Sequence, residues 1–197
     1  MLSDPQIDTI LRAFKEAESS GKDERDFIDG LHHAFSQKGW PLLSPAHLGI
    51  VYRNTMAITY SAVHYRDHLA DKDVLPYWMI DETRDNETCE YCAHFCKDPP
   101  YIYRWDDPIW QLHYGVQHYG CRRNIIALME QDLKDNGWSL SNGPPGFIDN
   151  NGIWQALKPQ NGFGGPPPGK DDKTLLMWIK KIFQDIQAGR LREDDME

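Results

Sequence analysis

The chain has 197 residues, 40% of them hydrophobic and 12% aromatic, and its 7 Trp and 9 Tyr supply enough apolar bulk to exclude a wholly disordered protein. A formal net charge of −9 repels phosphate, so no sequence-specific nucleic-acid binding is expected; the densest basic feature is the pair Arg122 and Arg123. The polar start from Met1 to Asp8 lacks an apolar signal region, and apolar runs such as Ile125 to Met129 fall far short of the ~20 residues of a membrane span. The expectation is a soluble protein made in a cytoplasm, with no membrane partner.

The first third reads as helix. Asp4 and Pro5 offer an N-cap and a first-turn proline ahead of Ile7, Ile10, Leu11 and Phe14 at helical spacing. Phe27, Leu31, Ala34 and Phe35 repeat the pattern, and Gly39 ends it. Ser44 and Pro45 open a third helix, predicted to be the longest, along Leu48, Val51, Tyr52, Thr55, Ile58, Ala62, Tyr65 and Leu69. From Pro76 the character changes: Leu75 to Ile80, Tyr101 to Trp105 and Asn124 to Leu128 are short, aromatic or β-branched runs that predict strands. A short helix follows over Met129 to Asn136 and stops at Gly137. The stretch from Ser141 to Gly169 is rich in Gly, Pro and Asn, a composition expected of an extended arm. Leu175, Ile179, Ile182, Phe183 and Ile186 then mark one side of a last helix. The fold class expected is α+β: a compact domain over residues 1–140, an arm over 141–170, and a C-terminal helix with an acidic tail over 171–197.

All four cysteines lie within 33 positions, as Cys89, Cys92, Cys96 and Cys121, and His94, His113 and His118 share that window. Cys89-Glu90-Tyr91-Cys92 and His118-Tyr119-Gly120-Cys121 each have the two-residue gap that lets ligands from one tight turn meet a tetrahedral Zn²⁺. Gly120 suits the left-handed backbone of such a knuckle. The candidate ligands are Cys89, Cys92, His118 and Cys121, with Cys96 as the alternative fourth. A closed site of this kind is structural zinc, coupled to folding. The competing account is a set of ordinary buried thiols, since free cysteine is among the most buried residue types. A redox role is disfavoured because Cys89 and Cys92 do not open a helix in a βαβ pattern.

Other polar groups favour plainer roles. Asp81, Glu82, Asp85 and Glu87 read as a solvated, capping turn more readily than as acid–base machinery. His32 and His33 are expected on a surface, and His64 and His68, one helical turn apart, are expected to be structural. Arg53 and Asn54, mid-helix among apolar neighbours, need partners, with Asp81 or Asp85 as candidates for the arginine. Trp105 and Trp110 are expected in the core.

From Lys38 to Asn136, the order of features resembles the Mu F-like family of phage minor head proteins. The residues that carry it are Ile50 to Met56 with Ala57 to Tyr65; Pro76-Tyr77-Trp78 with Asp81; Asp85 to Cys92; Asp106 to Trp110; His118 to Arg122; and Ile125 to Leu133. Arg123 stands where the family often has a second cysteine, and His94 to Asp98 replaces its usual turn after the first pair. The resemblance implies a non-enzymatic role in capsid morphogenesis. Partners would be the portal protein or the inner capsid and scaffold of the prohead, with the protein in the virion head after a start in the host cytoplasm. The alternatives are a nuclease or toxin-type effector, for which no nucleophile–base pair or phosphate loop is visible, and a zinc-dependent cytoplasmic adaptor.

Overall fold

The computed structural model describes residues 2–160, 163–166 and 171–191. Parts of the expected arm (161–162 and 167–170) and the acidic tail (192–197) lie outside the described residues. In chain order the elements are α1 (Asp4–Ser20), α2 (Glu24–Gln37), α3 (Pro45–Ala70), β1 (Tyr77–Asp81), α4 (Glu90–Ala93) and β2 (Ile102–Arg104). They continue as α5 (Trp110–His113), β3 (Asn124–Leu128), α6 (Glu130–Asn136), β4 (Gly146–Ile148), β5 (Trp154–Ala156) and α7 (Asp172–Gln187). This is the α+β class that the apolar periodicities predict. None of the described helices is long and apolar enough to cross a membrane.

The chain divides into two compact units, Met1–Thr59 with Gly169–Glu197, and Tyr60–Pro168. The first is helical. The backbone N–H of Ser3 donates to Gln6 Oε1 at 2.8 Å, so the N-cap of α1 is Ser3, one residue before the expected Asp4. The stripe of Ile7, Ile10, Leu11 and Phe14 is buried, as are Phe27, Leu31 and Phe35 of α2 and Leu175, Ile179, Ile182 and Phe183 of α7. Each such side chain contributes roughly 1.5–3 kcal/mol when fully buried, so these stripes dominate the unit. The C-terminal helix packs on α1, where Lys15 meets Asp172 at 2.6 Å and Lys180 meets Asp4 at 2.9 Å. Arg53 pairs with Glu24 of α2 at 2.9 Å, and neither Asp81 nor Asp85 is its partner. Asn54 donates to the Ile50 carbonyl at 2.8 Å, which satisfies a buried amide inside the helix itself.

The second unit is built on a three-stranded antiparallel sheet in the order β2-β1-β3. β1 is central, with Trp78 opposite Tyr103 on one side and Ala127 on the other. Side chains alternate between faces along a strand. One face gathers Trp78, Ile80, Tyr101, Tyr103 and Ile125 into an aromatic core with Phe95, Trp110, Tyr114 and Leu157. The opposite face gathers Met79, Ile102 and Leu128 with Leu133 of α6. Trp110 is 2% exposed, as its apolar context predicts, and its indole N–H donates to the Arg104 carbonyl.

The Gly/Pro-rich stretch is more structured than its composition suggests. β4 and β5 form a hairpin, and Gly146 has no room for a side chain, because a Cβ there would lie 2.6 Å from the Trp154 ring. Phe147 and Leu157 anchor this hairpin to the aromatic core. Beyond it, Gln160 N donates to the Gln117 carbonyl, Gly164 N to the Val116 carbonyl and Gly115 N to the Gly165 carbonyl, at 2.8, 2.8 and 2.9 Å. Composition reported a permissive backbone correctly, but a few apolar side chains and main-chain hydrogen bonds suffice to dock it.

Candidate metal centre

Three ligand-type side chains converge in the second unit. Cys89 is the N-cap of the single-turn helix α4, and its sulfur accepts from the Cys92 backbone N–H at 3.4 Å. That turn brings Cys92 to the same side, the geometry expected of a two-residue gap. His118 arrives from the loop after α5, and its Nε2 lies 3.5 Å from Cys89 Sγ and 3.0 Å from Cys92 Sγ. The three ligand atoms all lie within 4.8 Å of one another. Around a tetrahedral Zn²⁺, a sulfur and an imidazole nitrogen sit roughly 3.6 Å apart, from Zn–S of about 2.3 Å and Zn–N of about 2.0–2.1 Å. The residues therefore fit a zinc ion.

His118 is oriented for this role from behind. Its Nδ1 lies 2.6 Å from the Tyr119 carbonyl, an arrangement in which Nδ1–H donates and Nε2 keeps its lone pair toward the sulfurs. The loop is held by the docked Gly/Pro segment, with Phe163 edge-on to Tyr119 at 4.7 Å. Gly120 has a φ of 70°, the left-handed conformation expected for the knuckle.

Cys121 sits next to this trio. It is 7% exposed and is not one of the three residues whose ligand atoms lie within 4.8 Å of one another. Interaction between the two thiols of Cys121 and Cys92 draws Cys121 well below the ordinary thiol range and, with burial, raises Cys92 above it. The Arg123 guanidinium adds to the lowering of Cys121. Cys96 points elsewhere, toward the Cys92 carbonyl at 3.8 Å. Cys89 and Cys92 open one helical turn, yet the neighbouring strands are antiparallel, so the thioredoxin-like βαβ context is not found.

Behind the sulfurs lies a buried polar interior. Glu82, expected in a solvated turn, is 6% exposed and pairs with Arg123 at 2.5 Å. Burial raises its carboxyl, and the guanidinium opposes that shift. Asp85 does behave as a capping residue: it accepts from Glu87 N and binds Arg122 through both oxygens at 2.6 Å, and Arg122 holds its carboxyl at about 2. His113 and Gln117 are fully buried, and Gln117 Oε1 lies 3.1 Å from His113 Nδ1 and accepts from the Tyr91 hydroxyl. Burial first, and Arg123 second, push His113 down to about 4. His64 and His68 are structural in the sense expected, His68 meeting the Tyr114 hydroxyl at 2.7 Å. His32 is only partly exposed, its Nε2 2.9 Å from the Leu43 carbonyl, while His33 is exposed.

Sequence reasoning missed Glu82, Arg123, His113 and Gln117 as one interior group. The usable signal was strand alternation: counting back from β3 puts Arg123 on the same side as Ile125 and Cys121.

Phage Mu protein F like protein, as a family, matches residues 8–126. The Mu-like prophage FluMu F protein of Haemophilus influenzae is 31% identical over 147 residues, covering 68% of this chain and 35% of the relative. The putative capsid assembly protein F of Escherichia phage Mu is 25% identical over 153 residues, covering 70% and 34%. The chain thus spans about a third of the length of these curated relatives. No solved structure shows significant similarity to it.

Proposed function

The chain belongs to the Phage Mu protein F like protein family, and on that premise we propose that it acts in assembling the head of a tailed phage, without catalysing a reaction. The observation that carries this reading is the match to a relative named a capsid assembly protein across 70% of this chain. Its partners are the portal protein or the inner capsid and scaffold of the prohead, and its destination is the head interior.

A structural zinc ion belongs to the same proposal. Cys89, Cys92 and His118 supply three ligands, and Cys121, which follows His118 at the two-residue spacing of a zinc knuckle, supplies the fourth. Cys96 is the weaker candidate because its thiol turns to a backbone carbonyl. Zinc would tie α4 to the loop that leads into β3, two segments whose own secondary structure is too short to hold them.

Two measurements test these parts separately. Elemental analysis of the chain purified from a reducing cytoplasm is expected to find about one zinc per chain, lost in Cys92→Ser. A well-folded wild type without zinc overturns the metal. Co-sedimentation of tagged chain with proheads from infected cells, compared with proheads from a deletion phage, tests assembly. Normal heads without the protein, and no co-sedimentation, overturn that role.

A further inference from the structure

Among the ion pairs of the described residues, Glu82–Arg123 has an unusual position. Its side chains are 2% and 1% exposed, whereas the more accessible Lys181–Asp185 pair retains 31% and 10%. A pair taken wholly out of water gains little over well-packed apolar side chains, so its presence calls for a further role. The pair follows from register. Ile80 faces Ile125 and Asp81 faces Asn124, so one further antiparallel step sets Glu82 against Arg123. Strand alternation puts Cys121, Arg123 and Ile125 on one inner side, and all three side chains are buried.

Arg123 is held in a defined pose. Its Nε donates to Glu82, and its guanidinium carbon lies 3.8 Å above the Phe95 ring. Nη1 and Nη2 remain, both buried and without a hydrogen-bond partner. Two unused donors on a fixed cation therefore lie on the same inner side as Cys121, two residues away, whose sulfur is an acceptor that metal binding would leave more negative. A divalent ion with three thiolates and a neutral imidazole keeps a net negative charge, and in a buried site a neighbouring cation offsets it.

We propose that Arg123, braced by Glu82 and Phe95, is a positioning residue of the metal centre, its free N–H groups and charge directed at the cysteine sulfurs. This rests on the zinc reading above. Arg123 touches no metal in this scheme; it orients and stabilises the thiolates that do, with Cys121, two residues before it, as the nearest along the strand. The planar fork of arginine suits two parallel N–H···S contacts in a way that a lysine ammonium does not.

The test uses the full chain with Co²⁺ as a coloured stand-in for zinc. Thiolate-to-cobalt absorption reports ligand geometry, and zinc affinity is read by competition with a chelator. Arg123→Met is expected to weaken zinc about 10–100-fold and to shift the cobalt bands, the usual scale for removing an outer-shell partner. Because the single variant strands Glu82 in the interior, the double variant Glu82→Met/Arg123→Met is measured beside it. It replaces the pair with apolar bulk and is expected to stay folded, by far-UV circular dichroism and urea midpoint, while showing the same loss of affinity. A folded double variant that binds zinc as tightly as wild type, with unshifted cobalt bands, overturns the proposal and leaves the metal site standing. A wild type without thiolate–cobalt bands overturns the metal reading, and this proposal with it, before any variant is made.

Discussion

In the helical unit, charge lies at the water interface. Lys15–Asp172, Lys180–Asp4 and Arg53–Glu24 join side chains that are all at least a third exposed, and even the buried Asp185 is served by Lys181 and Arg190, which reach solvent. In the sheet unit, charge and hydrogen-bonding groups have moved inside: Glu82, Arg123, His113 and Gln117 sit behind the cysteine and histidine cluster. The first unit is held by apolar stripes with a polar coat. The second is held by an aromatic core around a polar interior, whose parts are costly unless each is satisfied. A unit with short strands and long loops gains its order from such groups, because regular secondary structure alone cannot position them.

The largest effect expected in breaking this contrast is at the aromatic core. Trp78→Ala removes the indole at the centre of the sheet and is expected to cost about 4–5 kcal/mol. Hydrogen exchange should show the loss in β1–β3 amides, with α1 and α2 less affected; equal loss of protection in both units would mean that they unfold as one. Glu82→Ala is next, at about 3 kcal/mol, since it leaves the Arg123 guanidinium buried without its counter-charge. A urea midpoint unchanged from wild type would show that Arg123 escapes to water in the variant.

Acid sharpens the contrast further. His113 is held to about 4 against an ordinary 6.5, so between those values the unfolded chain binds more protons than the folded one. The stability His113 contributes is complete above pH 6.5 and is lost as pH falls toward 4, by on the order of 3 kcal/mol. Denaturant titrations of the metal-free chain at a series of pH values should show this slope, flattened in His113→Gln; an identical slope in the variant would assign it to other groups. The smallest effect belongs to the helical unit. Arg53→Ala is expected to cost about 0.5 kcal/mol, because its pair with Glu24 is half exposed and screened. A loss several times larger would show that the helical unit depends on charge as the sheet unit does.

The two units also differ in how much of them is legible without coordinates. Ile7, Ile10, Leu11 and Phe14 announce a helix and its buried face together, because a 3.6-residue period carries both facts locally. The same holds for the strand Asn124–Leu128, and for the spacing that puts Cys89 and Cys92 on one side of a single helical turn. Arg123 was not legible in this way. Read along the chain it is the second half of an exposed-looking basic pair, and only the register of β1 against β3 turns it inward onto Glu82. Arg53 shows the same limit: its need for a partner is evident from its neighbours, but the choice of Glu24 depends on how α2 and α3 pack.

What the sequence determined by itself was the class of fold, the helices with their apolar faces, the strand core segments and the pairing of Cys89 with Cys92 across a two-residue gap. These depend on interactions spanning a few positions, which propensity and period report directly. What only the tertiary structure decided was the docking of the Gly/Pro segment against the His118 loop, the arrival of His118 beside Cys89 and Cys92, and the burial of Glu82 with Arg123. Each of these depends on groups tens of residues apart meeting in a space from which water is excluded, and no local pattern encodes that meeting.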